Sequence, residues 1–362
     1  MITVALAPYM AWAKTRPRPR IDLASSNLLA CDIGDLPGAR DALQIAGHND
    51  EGFEPLLERI AARYGVTPDR VATATGTSGA NFLVYAALVG AGDEVLVEQP
   101  GYDPLAGSAR LLGAQVRTFE RRFEEGYRLN VERCAGSMTP RTRLVVVTNL
   151  HNPTGVAAAV GELRALGERA LAHGVHVLVD EVYLDAAEGQ PRTSAASLGD
   201  PFIVTSSLTK AYGLAGLRCG WVIGSPDIIR RVRRARDLVD GVGAFPAEVL
   251  SVVAFDHLDA LRRRSRALLE GNLALVRAFM ATRRDLACVD PSGGTVCFPR
   301  LVSEPGAAQL VRILLERYET AVVPGQFFGA PQHVRLSFGG ARETLAQGLR
   351  AIGAALDDLG TR

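Results

Sequence analysis

The run Arg143-Leu144-Val145-Val146-Val147-Thr148 constrains the fold more than any other stretch. It is short, rich in β-branched residues and does not alternate with polar positions, so it predicts a strand buried on both faces. Such a strand belongs to a sheet with helices on each side. Comparable runs recur at Val71–Ala74, Glu94–Val97, His176–Val179, Phe202–Thr205 and Cys219–Ile223. Helical periodicity falls between them, and Leu56, Leu57, Ile60 and Ala61 already share one face ahead of the first. Strands alternating with helices predict a large, mostly parallel, three-layer α/β/α lobe. A long helix from about Leu261 to Arg283 then reads as a connector. Beyond it, strands near Val296, Val322 and Val334 with helices over Ala307–Glu316 and Ala341–Leu359 predict a small α+β lobe. The expected division is 40–260 for the large domain, and 1–39 with 261–362 for the small one.

Ligands of open α/β sheets bind outside the carboxyl ends of the strands. The residues there are chemically selective. Thr75-Gly76-Thr77-Ser78-Gly79 is a turn expected to open a helix at Ala80, which places free N–H groups and a positive dipole end toward an anion. No Gly-Lys-Ser/Thr follows, and the spacing is not that of a dinucleotide fingerprint. Tyr102 follows Pro100-Gly101 and offers a ring face. Asn152-Pro153-Thr154-Gly155 fixes an irregular backbone that presents the Asn152 amide. Asp180 ends a strand, with Tyr183 three residues on; an acid that merely caps the next segment is the bland alternative, and the order Asn152, Asp180, Tyr183, Lys210, Arg218 argues against it. Lys210 stands behind Ser206, Ser207 and Thr209 and eight residues ahead of Arg218. A lysine that forms an imine needs a rigid, partly desolvated setting. Hydroxyls with an arginine suit a dianionic phosphate.

Taken together, the lysine segment, Asn152-Pro153-Thr154-Gly155, Asp180-x-x-Tyr183 and Arg218 resemble the class I/II aminotransferases, fold-type I enzymes dependent on pyridoxal 5'-phosphate. The resemblance runs from about Ile21 to the end. It implies that Lys210 carries the cofactor as a Schiff base and moves the substrate's α-proton. It further implies that Gly76, Thr77, Ser78, Ser207 and Arg218 hold the phosphate, that Tyr102 stacks on the ring, and that Asp180 faces the ring nitrogen. Asn152 and Tyr183 would donate to the ring hydroxyl oxygen. Arg335 would clamp the substrate carboxylate, with Asn152 and the backbone of Ser26 beside it. The substrates would be an L-amino acid and a 2-oxo acid, in a homodimer with shared active sites. The family's tyrosine that reaches the other subunit's phosphate is absent; His48 or Asn49, near its place, could substitute, or the contact is missing altogether. The same site could serve a lyase, a decarboxylase or an oxidase.

Composition excludes other classes. The formal net charge of the 362 residues is +1, which gives no argument for nucleic acid or a membrane surface. The arginines of Arg230–Arg236 fall at helical spacing with acids nearby and no interleaved aromatics, so they read as a solvated face. Five scattered cysteines, with no Cys-x-x-Cys, speak against a disulfide framework or a structural metal and for a reducing compartment. The apolar start precedes its basic residues rather than following them, unlike a signal peptide. A soluble, cytoplasmic enzyme is the expectation. Residues 1–20 are expected to form a short amphipathic helix and an extended arm.

Overall fold

The computed structural model describes residues 7–189, 192–302 and 306–360. Its centre is a seven-stranded sheet. In chain order, after a short strand β1 (Ile21–Asp22), come β2 (Val71–Thr75), β3 (Glu94–Gln99), β4 (Gln115–Glu120), β5 (Thr142–Thr148), β6 (His176–Asp180), β7 (Phe202–Ser207) and β8 (Cys219–Ile223). The spatial order is β2-β8-β7-β6-β5-β3-β4. All pairs are parallel except those of β8, which runs antiparallel to both β2 and β7. The expected two-sided burial is visible residue by residue. Val145, Val147, Val177, Val179 and Val204 pack into one core, and Leu144, Val146, Leu178, Ile203 and Val222 into the core on the opposite face.

The remaining strands are short: β9 (Leu286–Ala287), β10 (Val296–Cys297), β11 (Arg300–Leu301), β12 (Thr320–Ala321), β13 (Val323–Pro324) and β14 (Val334–Ser337). β14 lies between β10 and β13, β9 pairs with β11, and β1 pairs with β12. The segment after β1 is therefore stitched to the C-terminal strands, where Ser337 N–H donates to Leu23 O at 2.8 Å. The connector is the helix Leu258–Ala281, and the last helix runs from Arg342 to Gly360.

Two boundaries differ from the sequence reading. The helix expected at Ala80 begins at Gly76, directly after β2. Gly76 turns the chain with a φ of 69°, so no separate turn is needed. The edge strand β4 gave no sequence signal, because its exposed positions are charged or polar. The first six residues of the expected N-terminal helix lie outside the described residues; the helix itself covers Pro8–Thr15 and packs on its own chain, with Tyr9 against Tyr102 and Phe328.

Gly220 of β8 passes so close to this helix start that an added Cβ would sit 2.4 Å from the carbonyl carbon of Gly76. Gly220→Ala should therefore destabilise the protein by about 1–3 kcal/mol through overpacking against backbone. Urea unfolding measures this, and an unchanged midpoint would show that the helix can retreat freely.

Candidate active site

One cavity of about 220 Å³ opens at the carboxyl ends of the parallel strands. Its walls bring together Ser26, Thr77, Ser78, Tyr102, Asn152, Asp180, Tyr183, Lys210 and Arg218, which are spread over most of the chain. Lys210 follows β7 and points inward. Its Nζ donates to Ser26 Oγ at 3.0 Å and to Asn27 Oδ1 at 2.7 Å. Loss of hydration depresses its pKa to about 7, helped by Arg335 and Arg218 and opposed by Asp180. The amine is thus available in its neutral form near neutrality.

Asp180 ends β6 and is buried. One carboxylate oxygen accepts from Asn81 Nδ2 at 2.8 Å and the other from the Val182 N–H at 3.0 Å. Burial pushes its carboxyl above the ordinary range, while these bonds and Lys210 pull it back. Asn81 is itself fixed by Thr205, whose hydroxyl donates to Asn81 Oδ1 at 2.5 Å. Tyr183 is buried beside Ser26, and desolvation raises its phenol to about 12.

At the other end, no side chain caps the helix Gly76–Leu88, so its first N–H groups remain open. The Gly76 N–H is an exception, because it donates to Arg218 O at 2.7 Å. What Gly76 supplies is room: a Cβ there would lie 2.2 Å from Arg218 Nη2. Thr77 Oγ1 donates to Ser207 Oγ at 2.8 Å, and Ser207 Oγ shares a 2.7 Å hydrogen bond with Thr209 Oγ1. Among the described residues Arg218 donates to two carbonyls, Ala215 O at 3.2 Å and Thr75 O at 3.4 Å.

Arg335, on β14, lies behind Asn152 and is almost fully buried. Its guanidinium donates to Asn152 Oδ1 at 3.1 Å, Tyr9 Oη at 2.6 Å and Ala24 O at 3.2 Å. Among the described residues no carboxylate forms an ion pair with Arg335 or Arg218, so both retain charge for an anionic ligand. The bond from Arg335 also orients Asn152. With Oδ1 occupied, the amide N–H groups are the ones left for the cavity.

Several contributors escaped the sequence reading. Tyr9 and Met10 carry no motif; they arrive because the helix Pro8–Thr15 folds back, and Tyr102 Oη donates to Met10 Sδ at 3.3 Å. Asn81 did leave a trace, as a polar residue on an apolar helix face between Ala80 and Leu83. His48 is exposed, whereas Asn49 is buried and spends its amide on Gly243 O and Glu248 Oε2, at 2.9 and 2.7 Å.

The sequence matches the family profile "Aminotransferase class I and II" over residues 47–352. The chain belongs to that family. It is 32% identical to capreomycidine synthase of Streptomyces vinaceus over 98% of this chain and 94% of that protein. It is 27% identical to an aspartate aminotransferase of Geobacillus stearothermophilus, over 83% of this chain and 79% of the relative. Among solved structures, the PLP-dependent cyclase OrfR superposes with a TM-score of 0.87 at 28% identity, covering 99% of this chain and 98% of the other.

Family membership makes the chain a pyridoxal-phosphate-dependent aminotransferase. The donor set fits that cofactor. An open helix start with Thr77, Ser78 and Arg218 suits a dianion. A buried carboxylate, an amide and a phenol surround a lysine of lowered basicity. Below about 7 Lys210 Nζ carries a proton, and above it the amine is neutral. Uptake of pyridoxal phosphate by the apoprotein should therefore accelerate as pH rises through about 7 and then level off. Stopped-flow absorbance measures this; a rate still climbing near the ordinary lysine value of about 10 would contradict the depressed amine.

Proposed function

We propose that this cavity exchanges an amino group between an L-amino acid and a 2-oxo acid, with Lys210 as the group that both holds the cofactor and moves the α-proton. The observation that carries the reading is the depressed basicity of Lys210 between Asp180 and two arginines without carboxylate partners. When bound, the cofactor supplies an electron sink for the pair released at the substrate's α-carbon. Lys210 Nζ accepts the α-proton and later returns one, a task suited to an amine that titrates near the working pH. Asp180, held by Asn81 and the Val182 N–H, places negative charge against the ring nitrogen. Asn152 and Tyr183 would donate to the ring hydroxyl oxygen, and Tyr102 would cover the ring. Thr77, Ser78, Ser207 and Arg218 would hold the phosphate, with Gly76 leaving space beside Arg218. Arg335 takes the substrate carboxylate in a planar two-point contact, with Asn152 and the Ser26 backbone alongside.

The functional unit we infer is a cytoplasmic homodimer. Ile45 and Leu238 are 86% and 89% exposed. Their loops are neighbours, joined by the Asn49 bond to Gly243 O. An apolar patch of this kind beside the phosphate end suits a second copy. His48 is exposed and Asn49 is bonded internally, so His48 is the residue we propose for a second copy's phosphate site. All five cysteines are free, in keeping with a reducing compartment. Among the described residues no helix is long and apolar enough to cross a membrane. We propose the division into 40–260 and the paired segments 1–39 and 261–362, which the pairing of β1 with β12 supports.

A second reading has support from the two relatives named as a synthase and a cyclase. In it, the same residues release the α-proton but the substrate then loses a group or closes a ring. Mixing the loaded enzyme with a panel of amino acids and identifying the products separates the readings. Keto acid and aminated cofactor are expected; a cyclic amino acid with unchanged cofactor would favour the second. Lys210→Ala should lower turnover by about 10²–10⁴-fold or more, and Asp180→Asn should lose most of the rate while retaining cofactor. Substantial activity in Lys210→Ala, measured as keto acid release, would remove the lysine from its role.

A further inference from the structure

A single line of hydrogen bonds runs from a buried ion pair to the two residues that face the substrate carboxylate. Glu98 and Arg121 stand at and just beyond the carboxyl ends of β3 and β4, and both side chains are wholly shielded from solvent. Arg121 Nη1 donates to Glu98 Oε2 at 3.0 Å, and Arg121 Nε donates to Tyr127 O at 2.7 Å. The other carboxylate oxygen, Oε1, accepts twice from Thr148 at the end of β5: from its N–H at 2.7 Å and from its hydroxyl at 2.6 Å. Thr148 Oγ1 in turn accepts the backbone N–H of Asn152 at 2.8 Å. Asn152 Oδ1 accepts from Arg335 at 3.1 Å.

The polarity of each link is forced. A threonine hydroxyl has one proton. Here it is spent on Glu98, so a lone pair is what meets the Asn152 N–H. Three donors converge on Glu98, one of them a guanidinium; burial pushes its carboxyl above the ordinary range, and Arg121 with the two Thr148 donors pulls it back. A further titratable group, His151, lies 3.8 Å from Glu98 Oε1. Its Nε2 is bonded to Pro100 O at 2.9 Å and its Nδ1 to Thr154 Oγ1 at 2.7 Å. Burial holds that imidazole well below its usual range, so it is neutral. A buried ion pair is a weak source of stability, since apolar residues of similar volume often replace one without loss. This pair is instead wired to the site.

We infer that Glu98, paired with Arg121, is a positioning residue: through Thr148, which holds the Asn152 backbone N–H, it sets the direction in which Asn152 presents its amide, and thereby the seat of Arg335. The inference rests on the proposed roles of Asn152 and Arg335. It concerns neither the lysine nor the phosphate site.

The test uses the full-length, cofactor-loaded protein and two substitutions at different links. Thr148→Val keeps shape and removes the hydroxyl; Glu98→Gln leaves an amide facing three donors. Weakened donation from Asn152 to the ring hydroxyl oxygen disfavours its ionised form. The pH midpoint of the visible absorbance should then rise by about half a unit to one unit, the size of one lost hydrogen bond. Cofactor affinity, followed by equilibrium dialysis, should fall several-fold in both variants. Thr148→Ser, which restores the hydroxyl, should keep the wild-type midpoint. Folded Thr148→Val with an unmoved midpoint and unchanged affinity overturns the inference, whether or not Glu98→Gln folds. A wild-type protein with no visible band would instead overturn the cofactor reading on which it rests.

Discussion

Two cations, Lys210 and Arg218, line a cavity in which Asp180 is the one carboxylate among the described residues, and a third, Arg335, lies behind its Asn152 wall. Lys210, Arg218 and Arg335 could have been neutralised by acids, as most buried charges are. Instead the two guanidiniums are held by carbonyl, amide and hydroxyl oxygens from Ala24, Thr75, Ala215, Asn152 and Tyr9. Neutral acceptors fix an arginine's position without cancelling its charge. The uncancelled charge is what lowers Lys210 beyond the effect of burial alone. The same excess is what an anionic cofactor and a carboxylate substrate would neutralise on binding. Amine reactivity and anion recognition thus have one electrostatic source.

The scaffold supplies the rigidity this requires. β5, β6 and β7 are buried on both faces, so their carboxyl ends can move little relative to one another. Asn152, Asp180 and Lys210 stand just beyond or at those ends. Where the sheet alone does not suffice, side chains reach across: Asn81 from the helix after β2 to Asp180, and Thr77 to Ser207. β8 brings Arg218 in by its antiparallel insertion between β2 and β7, and the glycines at 76 and 220 make that approach sterically possible.

Much of this was legible in the chain itself. β-branched runs such as Arg143–Thr148 mark buried strands because only a sheet covered on both faces can use them. The strand-end residues could be read because their types are costly to place without a reason: a lysine behind hydroxyls, an amide between proline and glycine, an acid at a strand end. Less legible were elements whose stability comes from tertiary contacts. β4 has no apolar alternation, yet it pairs along the edge of β3. Residues that act by contact alone, such as Tyr9, Met10 and Glu98, carry no local pattern at all.

The sequence by itself determined the fold class, the order of the chemical groups along the chain and the family they belong to, since periodicity and short motifs are local properties. The tertiary structure alone decided which way each group faces and what charge it keeps. Tyr9 meets Arg335 across 326 positions, and Glu98 meets Thr148 across 50. Hydrogen-bond direction and desolvation depend on neighbours in space, which chain order does not encode locally.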